Sequence, residues 1–201
     1  NMVKVVMRGL ISGDLRRPWL GASGQTVTAD LARSLELERP GGVLINAIHP
    51  DSPARRAGLK AGDVVVAVNG LEVDDPNSLR FRIATLEPKG QAVLTIIRNG
   101  STQDVSVPLE VAPEVPARDE TVIKTRSPFA GAKVANVNPA LADELGIDTL
   151  TSGVIVLDVA SNSLARQANL KPGDLITEVN KTRIGSVADL MSVLRKGEKG
   201  R

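Results

Sequence analysis

The stretch GGVLINAIHPDSPARRAGLKAGDVVVAVNGLEV, from Gly41 to Val73, recurs in altered form as SGVIVLDVASNSLARQANLKPGDLITEVNKTRI, from Ser152 to Ile184. The offset of roughly 110 residues between the copies is far longer than the period of about 20–50 residues that is typical of solenoid repeats. The repeat therefore predicts two copies of one domain.

The repeat extends upstream, where 31–35 matches 141–145 and 19–22 matches 129–132. Its turns are kept even where the side chains differ. Gly58 follows a short helical stretch, as a residue that ends a helix in the left-handed conformation does. The second copy has Asn169 there, and Asn is the next most tolerant residue of that conformation. The two domains are thus expected to share their backbone geometry.

The composition excludes several classes of protein. Aromatic residues make up 1% of the 201 residues, the formal net charge is +2, and there is no Cys. Stacking platforms and basic patches for nucleic acid are therefore not expected, and neither are disulfides, thiol nucleophiles or cysteine-bound zinc. No apolar run approaches the 18 or so residues that suggest a membrane span. We expect neither a nucleic-acid partner nor a membrane span.

Periodicity and turn residues predict the secondary structure. Apolar residues at helical spacing predict a short N-terminal helix over 3–10, and Asn99-Gly100 between two alternating runs predicts a hairpin. Other predicted elements of the first domain are a helix from Thr28 through Leu35, a strand over 43–48, a short helix from Pro53, and a helix over 78–86. Strands without βαβ alternation favour an α+β fold: two half-open β-sandwich domains, each with two helices, preceded by the short N-terminal helix.

The expected domain boundaries follow from the repeat and from the Pro-rich, charged stretch between its copies. We predict an N-terminal helix or link over 1–14, a first domain over 15–111, a linker over 112–127, and a second domain over 128–201. Gly90 aligns with Gly200, so the closing hairpin of the first domain has no counterpart after Gly200. The second domain is therefore expected to be truncated at its C-terminal end.

The order of these features resembles the PDZ domains of bacterial HtrA (Deg-type) serine proteases. The resemblance rests on an aliphatic-Gly-small loop followed by a helix, on Ser-Pro-Ala before a short helix, and on Gly-Leu-Lys-x-Gly-Asp at 58–63. It covers essentially the whole chain, since 1–21 is similar to the link between a protease domain and its first PDZ domain.

The resemblance implies a peptide site in each domain. In such a site the backbone N–H groups of a tight glycine loop receive a terminal carboxylate, and the peptide adds a strand to an exposed sheet edge. The positions that match the loop, the edge strand and the helix wall are Trp19, Leu20, Gly21, Ala22, Ser23, Leu79, Ile83, Leu86, Phe129, Ala130, Gly131 and Ala132.

Two departures from the family pattern bear on this site. Ala22 and Ala132 stand where such domains more often have Val or Ile, so the pocket is expected to accept a bulkier terminal side chain. Ala130 replaces the Leu that the first domain has at position 20, a departure that bears on the affinity of the second site.

A catalytic role for the chain itself is disfavoured. Gly21-Ala22-Ser23-Gly24 superficially resembles the surroundings of a serine nucleophile, but a triad would need His49, the single histidine of the chain. Before Pro50, His49 is better interpreted as a solvated turn residue. No His/Cys metal site and no phosphate loop is present, so we expect no catalytic residues, no metal and no cofactor. Arg16-Arg17 and Arg55-Arg56 are interpreted as solvated faces, or as guides for acidic peptides or subunit contacts.

The leading hypothesis is a tandem PDZ region that captures C-terminal or unfolded segments by β-augmentation for an HtrA-type serine endopeptidase in protein quality control. The resemblance implies as partners peptides and unfolded protein C-termini, a protease domain in the parent chain and a possible homo-oligomer, in the periplasm. Two alternatives stay open at this point: a stand-alone tandem-PDZ scaffold without proteolysis, and a module of a membrane-embedded or tail-specific protease.

Overall fold

The computed structural model describes residues 17–148 and 150–199. The chain divides into two compact units, the first comprising residues up to Ala112 together with Gly146–Leu150, and the second comprising Pro113–Leu145 and the residues from Thr151 onward. The predicted N-terminal helix over 3–10 lies outside the described residues.

Most strands of the first unit are short, and its longest pair is the β6–β7 hairpin. The strands are β1 (Pro18–Trp19), β2 (Ala22–Thr26), β3 (Val43–Ile48), β4 (Val64–Val68), β5 (Leu71–Glu72), β6 (Gln91–Arg98), β7 (Ser101–Pro108) and β8 (Glu110–Val111). The helices are α1 (Ala29–Ser34), α2 (Pro53–Arg56) and α3 (Pro76–Ala84).

The second unit repeats the order from β2 to α3, except that two short strands stand where the first unit has β4, and one further strand precedes them all. Its strands are β9 (Thr121–Val122), β10 (Ala132–Asn136), β11 (Val154–Val159), β12 (Leu175–Ile176), β13 (Glu178–Val179) and β14 (Thr182–Arg183). Its helices are α4 (Pro139–Leu145), α5 (Leu164–Gln167) and α6 (Val187–Lys199).

The main sheet of the first unit runs in the order β2-β3-β4-β6-β7, with β5 paired to β4. All of its pairs are antiparallel, and β1 pairs separately with β8. The core lies between this sheet and the inner sides of α2 and α3, where its largest fully buried side chains include Ile45, Leu59 and Leu94. Of the described strands, β2 is therefore one edge of the sheet.

The sheet of the second unit runs in the order β12-β11-β10-β9. Its strand β10 corresponds to β2 of the first unit, but β10 has a neighbour on each side because β9 pairs with it. Its core includes Ile123, Ile155, Ile184 and Leu190, all buried. Residues 112–127, predicted to be a linker, thus contain a strand of this sheet.

The predicted fold class is confirmed: each unit is an antiparallel, half-open sandwich with helices, and neither is a closed barrel. The short helix of each unit, α2 or α5, is a single turn of four residues, which leaves the two larger helices that were predicted. Gly58 and its counterpart Asn169 both have positive φ, at 83° and 61°, so the shared turn geometry is also confirmed.

Strand β12 of the second unit is less well covered than its counterpart β4 in the first. Val64 on β4 pairs with Ile97 on β6 and is 2% exposed. Its counterpart Leu175 on β12 is 40% exposed, and among the described strands β12 pairs with β11 alone. An uncovered sheet edge leaves backbone groups unpaired and apolar surface in water.

We expect the second unit to be less stable than the first in this chain. Hydrogen exchange measured residue by residue should show faster exchange at the amides of Val154–Val159 than at those of Val43–Ile48. The comparison is matched, because β3 and β11 occupy the same place in their sheets. Equal protection of the two strands, in a chain shown to be monomeric, would contradict the prediction.

Candidate peptide-binding site

The glycine turn between β1 and β2 is held by its carbonyl groups. Leu20 O accepts from Ala54 N at 3.1 Å, and Gly21 O accepts from His49 N at 2.9 Å. In a trans peptide the N–H points away from the C=O of the same unit. The N–H groups of Gly21 and Ala22 are therefore directed to the opposite side of the turn, as an anion-binding nest requires.

Only glycine fits at the centre of this turn. Gly21 has φ of +71°, and a Cβ placed on it would lie 2.2 Å from Ser52 Cβ and 2.8 Å from Trp19 Cζ2. Ser52 is fully buried and its hydroxyl accepts from Arg55 N, as the N-cap of α2. The turn and the start of α2 are thus packed directly together.

Strand β2 and helix α3 pack against each other beside the turn. Helix α3 packs on β1, β2 and β4, and its Leu79 and Ile83 are 5% and 2% exposed within the same cluster as Leu20. Ala22 and Leu86 are partly buried against that cluster. The structure therefore brings five of the predicted residues of the first unit, Leu20, Ala22, Leu79, Ile83 and Leu86, into one apolar cluster. Strand β2 lies beside it and has no other described strand on its outer edge.

The other predicted residues of the first unit support the turn. Trp19 is 4% exposed and its ring meets His49 edge-on, with centroids 5.5 Å apart. His49 Nδ1 accepts from Asp51 N at 3.2 Å. Ser23 Oγ donates to Asp148 Oδ2 at 3.0 Å, within the first unit. These bonds do not link Ser23 to His49.

The second unit builds the same turn. Ala130 O accepts from Ala165 N at 3.0 Å, and Gly131 O accepts from Ala160 N at 3.0 Å. Gly131 has φ of +90°, and a Cβ on it would lie 2.2 Å from Ser163 Cβ. The serine under the turn, Ser52 or Ser163, is thus a shared part of the site that the sequence analysis did not include.

The space beside the second turn is filled by the chain itself. Gly131 N donates to Ile123 O at 2.8 Å, and Ile123 N donates to Ala132 O at 2.9 Å. Phe129 is partly buried against the second core, and Ala132 is fully buried in it. Sequence reasoning missed Ile123, although Thr-Val-Ile is a short run of β-branched residues within a stretch rich in Pro and charge.

An ion pair holds the Gly-Leu-Lys-Ala-Gly-Asp turn of the first unit. The side chain of Asp63, 2% exposed, lies 2.6 Å from Arg98 Nε and accepts from Lys60 N at 2.7 Å. The hydrogen bond to Asp63 raises the pKa of Arg98, against the effect of partial burial. Arg98 also donates to Gly58 O at 2.9 Å. In the second unit Asp174 keeps the bond to Lys171 N at 2.8 Å but is exposed.

Neither a metal site nor a membrane helix is found in the part of the chain that the structure describes. There, no three His, Asp or Glu side chains are grouped so that they could hold an ion. No helix there combines the length and the apolar character that crossing a bilayer demands.

Both units are similar in sequence to domains of known proteins. The PDZ domain family matches residues 18–109 and 115–201. Two proteins named "Probable periplasmic serine endoprotease DegP-like" are similar to almost the whole chain. That of Chlamydia trachomatis serovar D is 36% identical over 98% of this chain and 39% of its own length. That of Rhizobium meliloti is 34% identical over 99% of this chain and 40% of its own length.

A solved structure of the HtrA-type protease AlgWS227A with decapeptide is also similar. It is 29% identical, with a TM-score of 0.51, over 58% of this chain and 36% of the other. The chain thus spans about two fifths of the length of these curated relatives.

Proposed function

Since the chain belongs to the PDZ domain family, we propose that its first unit binds the C-terminal ends of peptides by β-augmentation. The peptide lies antiparallel to β2, its carboxylate is held by the N–H groups of Gly21 and Ala22, and its last side chain enters the groove beside α3. The observation that carries this proposal is the glycine turn, whose carbonyls are bonded inward while its N–H groups face the edge of β2 that no other described strand pairs with.

We further propose that this binding serves an HtrA-type serine endopeptidase. Support comes from the similarity to relatives named periplasmic serine endoproteases. In this proposal the PDZ pair captures unfolded or exposed C-terminal segments in the periplasm, passes them to a protease domain of the parent chain, and shapes a homo-oligomer. The predicted residues of both loops and of α3 remain proposed binding residues.

We expect the first unit to bind a peptide that ends in Phe or Leu with a free carboxylate. We expect a micromolar affinity, which corresponds to about −8 kcal/mol. The small side chain of Ala22, partly buried beside the groove, leaves room for a large terminal residue. The measurement is a titration followed at the amide NMR signals of Gly21 and Ala22.

The matched control is the same peptide with an amidated C-terminus. Loss of the charged acceptor should weaken binding at least about tenfold, since hydrogen bonds to charged groups are worth about 1.5–3 kcal/mol. Ala22→Leu provides a second control, because it fills the groove without changing the backbone N–H groups. Equal affinity for the free and the amidated peptide would refute the carboxylate site.

A further inference from the structure

Strand β9 lies against β10 where a bound peptide would lie if the second unit were used like the first. The chain runs antiparallel to β10, with Val122 opposite Lys133 and Thr121 opposite Val134. It runs toward the glycine turn and reaches it at Ile123. There Ile123 O accepts from Gly131 N at 2.8 Å, so a backbone carbonyl occupies the position proposed for a ligand carboxylate in the first unit.

The side chains of this segment alternate as those of a peptide ligand do. Thr121 is partly buried, Val122 is 50% exposed, and Ile123 is 1% exposed. Ile123 belongs to the same apolar cluster as Leu190 and Leu194 of α6, the helix that corresponds to α3. Its side chain is therefore buried in the core that this helix helps to form.

The residues before Thr121 fix its register. Glu120 Oε2 lies 2.6 Å from Lys133 Nζ, and the hydrogen bond from Lys133 lowers the pKa of Glu120. Asn136, 7% exposed, donates from its backbone N to Arg118 O at 2.7 Å and from its side chain to Ala117 O at 2.8 Å.

Arg118 and Asn138 also hold the segment that precedes Thr121. Arg118 lies 2.6 Å from Glu144 and 3.0 Å from Glu114. Asn138, 2% exposed, donates to Pro116 O at 2.8 Å. The segment is thus bonded along β10 and the start of α4 over 116–123. The corresponding residues of the first unit, 11–13, lie outside the described part of the chain.

We propose that Thr121–Ile123 is a built-in ligand of the second groove. The inference rests on the proposed peptide binding and extends it. The second groove is a peptide site specific for an extended segment with Thr two residues before a terminal β-branched apolar residue, and the chain itself fills it. An external peptide of this class enters only when the segment leaves.

The short stretch of chain that joins Thr121–Ile123 to the second glycine turn explains why this segment excludes other ligands. A ligand attached by a short stretch of chain acts at an effective concentration in the millimolar range. Only five residues, 124–128, separate Ile123 from Phe129. A free peptide of micromolar affinity therefore competes poorly with the tethered segment, and weakening that segment should expose the site.

The test uses the full 201-residue chain, its Ile123→Ala variant, and the peptide Asp-Glu-Thr-Val-Ile with a free carboxylate, which copies 119–123. Binding is followed at the amide NMR signals of Gly131 and Ala132. We expect the variant to bind the peptide at these positions at least tenfold more tightly than the parent chain. The same peptide should raise the unfolding temperature of the variant's second unit, whereas a peptide ending in Ala should not.

Two results would overturn the proposal: equal affinity of the parent chain and Ile123→Ala at Gly131, or no binding to a folded variant. In the second case the segment would be an ordinary strand of the fold. If Ile123→Ala does not fold even with peptide, it is replaced by Ile123→Val, which removes a single methylene group. Equal affinity of this variant and the parent chain, or no binding to the folded variant, would then overturn the proposal. Signals of Gly21 and Ala22 report the first groove separately, so a failure of the proposed function there is distinguishable from a failure here.

Discussion

Arg98→Ala should destabilise the first unit by about 3–5 kcal/mol, the typical cost of removing one partner of a buried ion pair. Asp63 is almost fully buried and Arg98 is the cation that it contacts in the described structure. Without Arg98, the carboxylate keeps the backbone N–H of Lys60 but no charged partner. Thermal unfolding followed at signals of β3 and β4 should show a midpoint lowered by more than about 10 °C.

Arg39→Ala is the matched control for this prediction. Arg39 also pairs with a carboxylate, Glu72, at 2.6 Å, but the two side chains are 73% and 66% exposed. Exposed pairs contribute about 0.2–1 kcal/mol, so this variant should unfold close to the parent chain. If Arg98→Ala and Arg39→Ala lower the unfolding midpoint by similar amounts, the burial of Asp63 is not the reason why its pair with Arg98 stabilises the first unit.

Gly21→Ala should abolish measurable peptide binding by the first unit and destabilise that unit by about 2–4 kcal/mol. The new Cβ would lie 2.2 Å from the Cβ of buried Ser52, so the turn or the start of α2 has to move. Movement of the turn displaces the N–H groups that are proposed to hold the carboxylate. Binding is measured with the free-carboxylate peptide, and stability by denaturant unfolding of the same samples.

The variant Gly58→Ala separates the steric clash expected for Gly21→Ala from the energetic cost of placing an alanine in a left-handed backbone conformation. Gly58 has φ of +83°, close to that of Gly21, yet a Cβ on it would meet no described atom within 4 Å. It should therefore cost only the left-handed penalty, about 1–2 kcal/mol, and leave peptide binding unchanged. Binding by Gly21→Ala as tight as that of the parent chain would refute the assignment of the turn.

Local features of the sequence were sufficient for the repeat, the fold class and the turns. Strand β3 begins and ends where its apolar run does, at Val43 and Ile48. The Asn99-Gly100 turn has the positive φ values, 50° and 74°, that a tight hairpin needs. These predictions succeeded because periodicity and turn chemistry act over a few residues, so the physical cause lies within the stretch that is examined.

Other features depended on residues far apart in the chain. Whether Asp63 is a buried ion or a solvated turn residue is decided by Arg98, 35 positions later. That Ser52 lies under Gly21 follows from how α2 packs on the turn, and no pattern around either residue indicates it. Such contacts form only when the tertiary structure brings separate segments together.

The sequence by itself determined that the chain contains two similar domains of the PDZ type, each with a glycine turn beside a sheet edge. Only the tertiary structure decided what lies against β10 in the second domain. The Pro and charged residues of 112–127 suggested a linker, because composition measures how little a stretch can bury on its own. Ile123 is buried nevertheless, since β10 offers unpaired backbone groups and the cluster around Leu190 offers an apolar pocket. Both are supplied by residues distant in sequence.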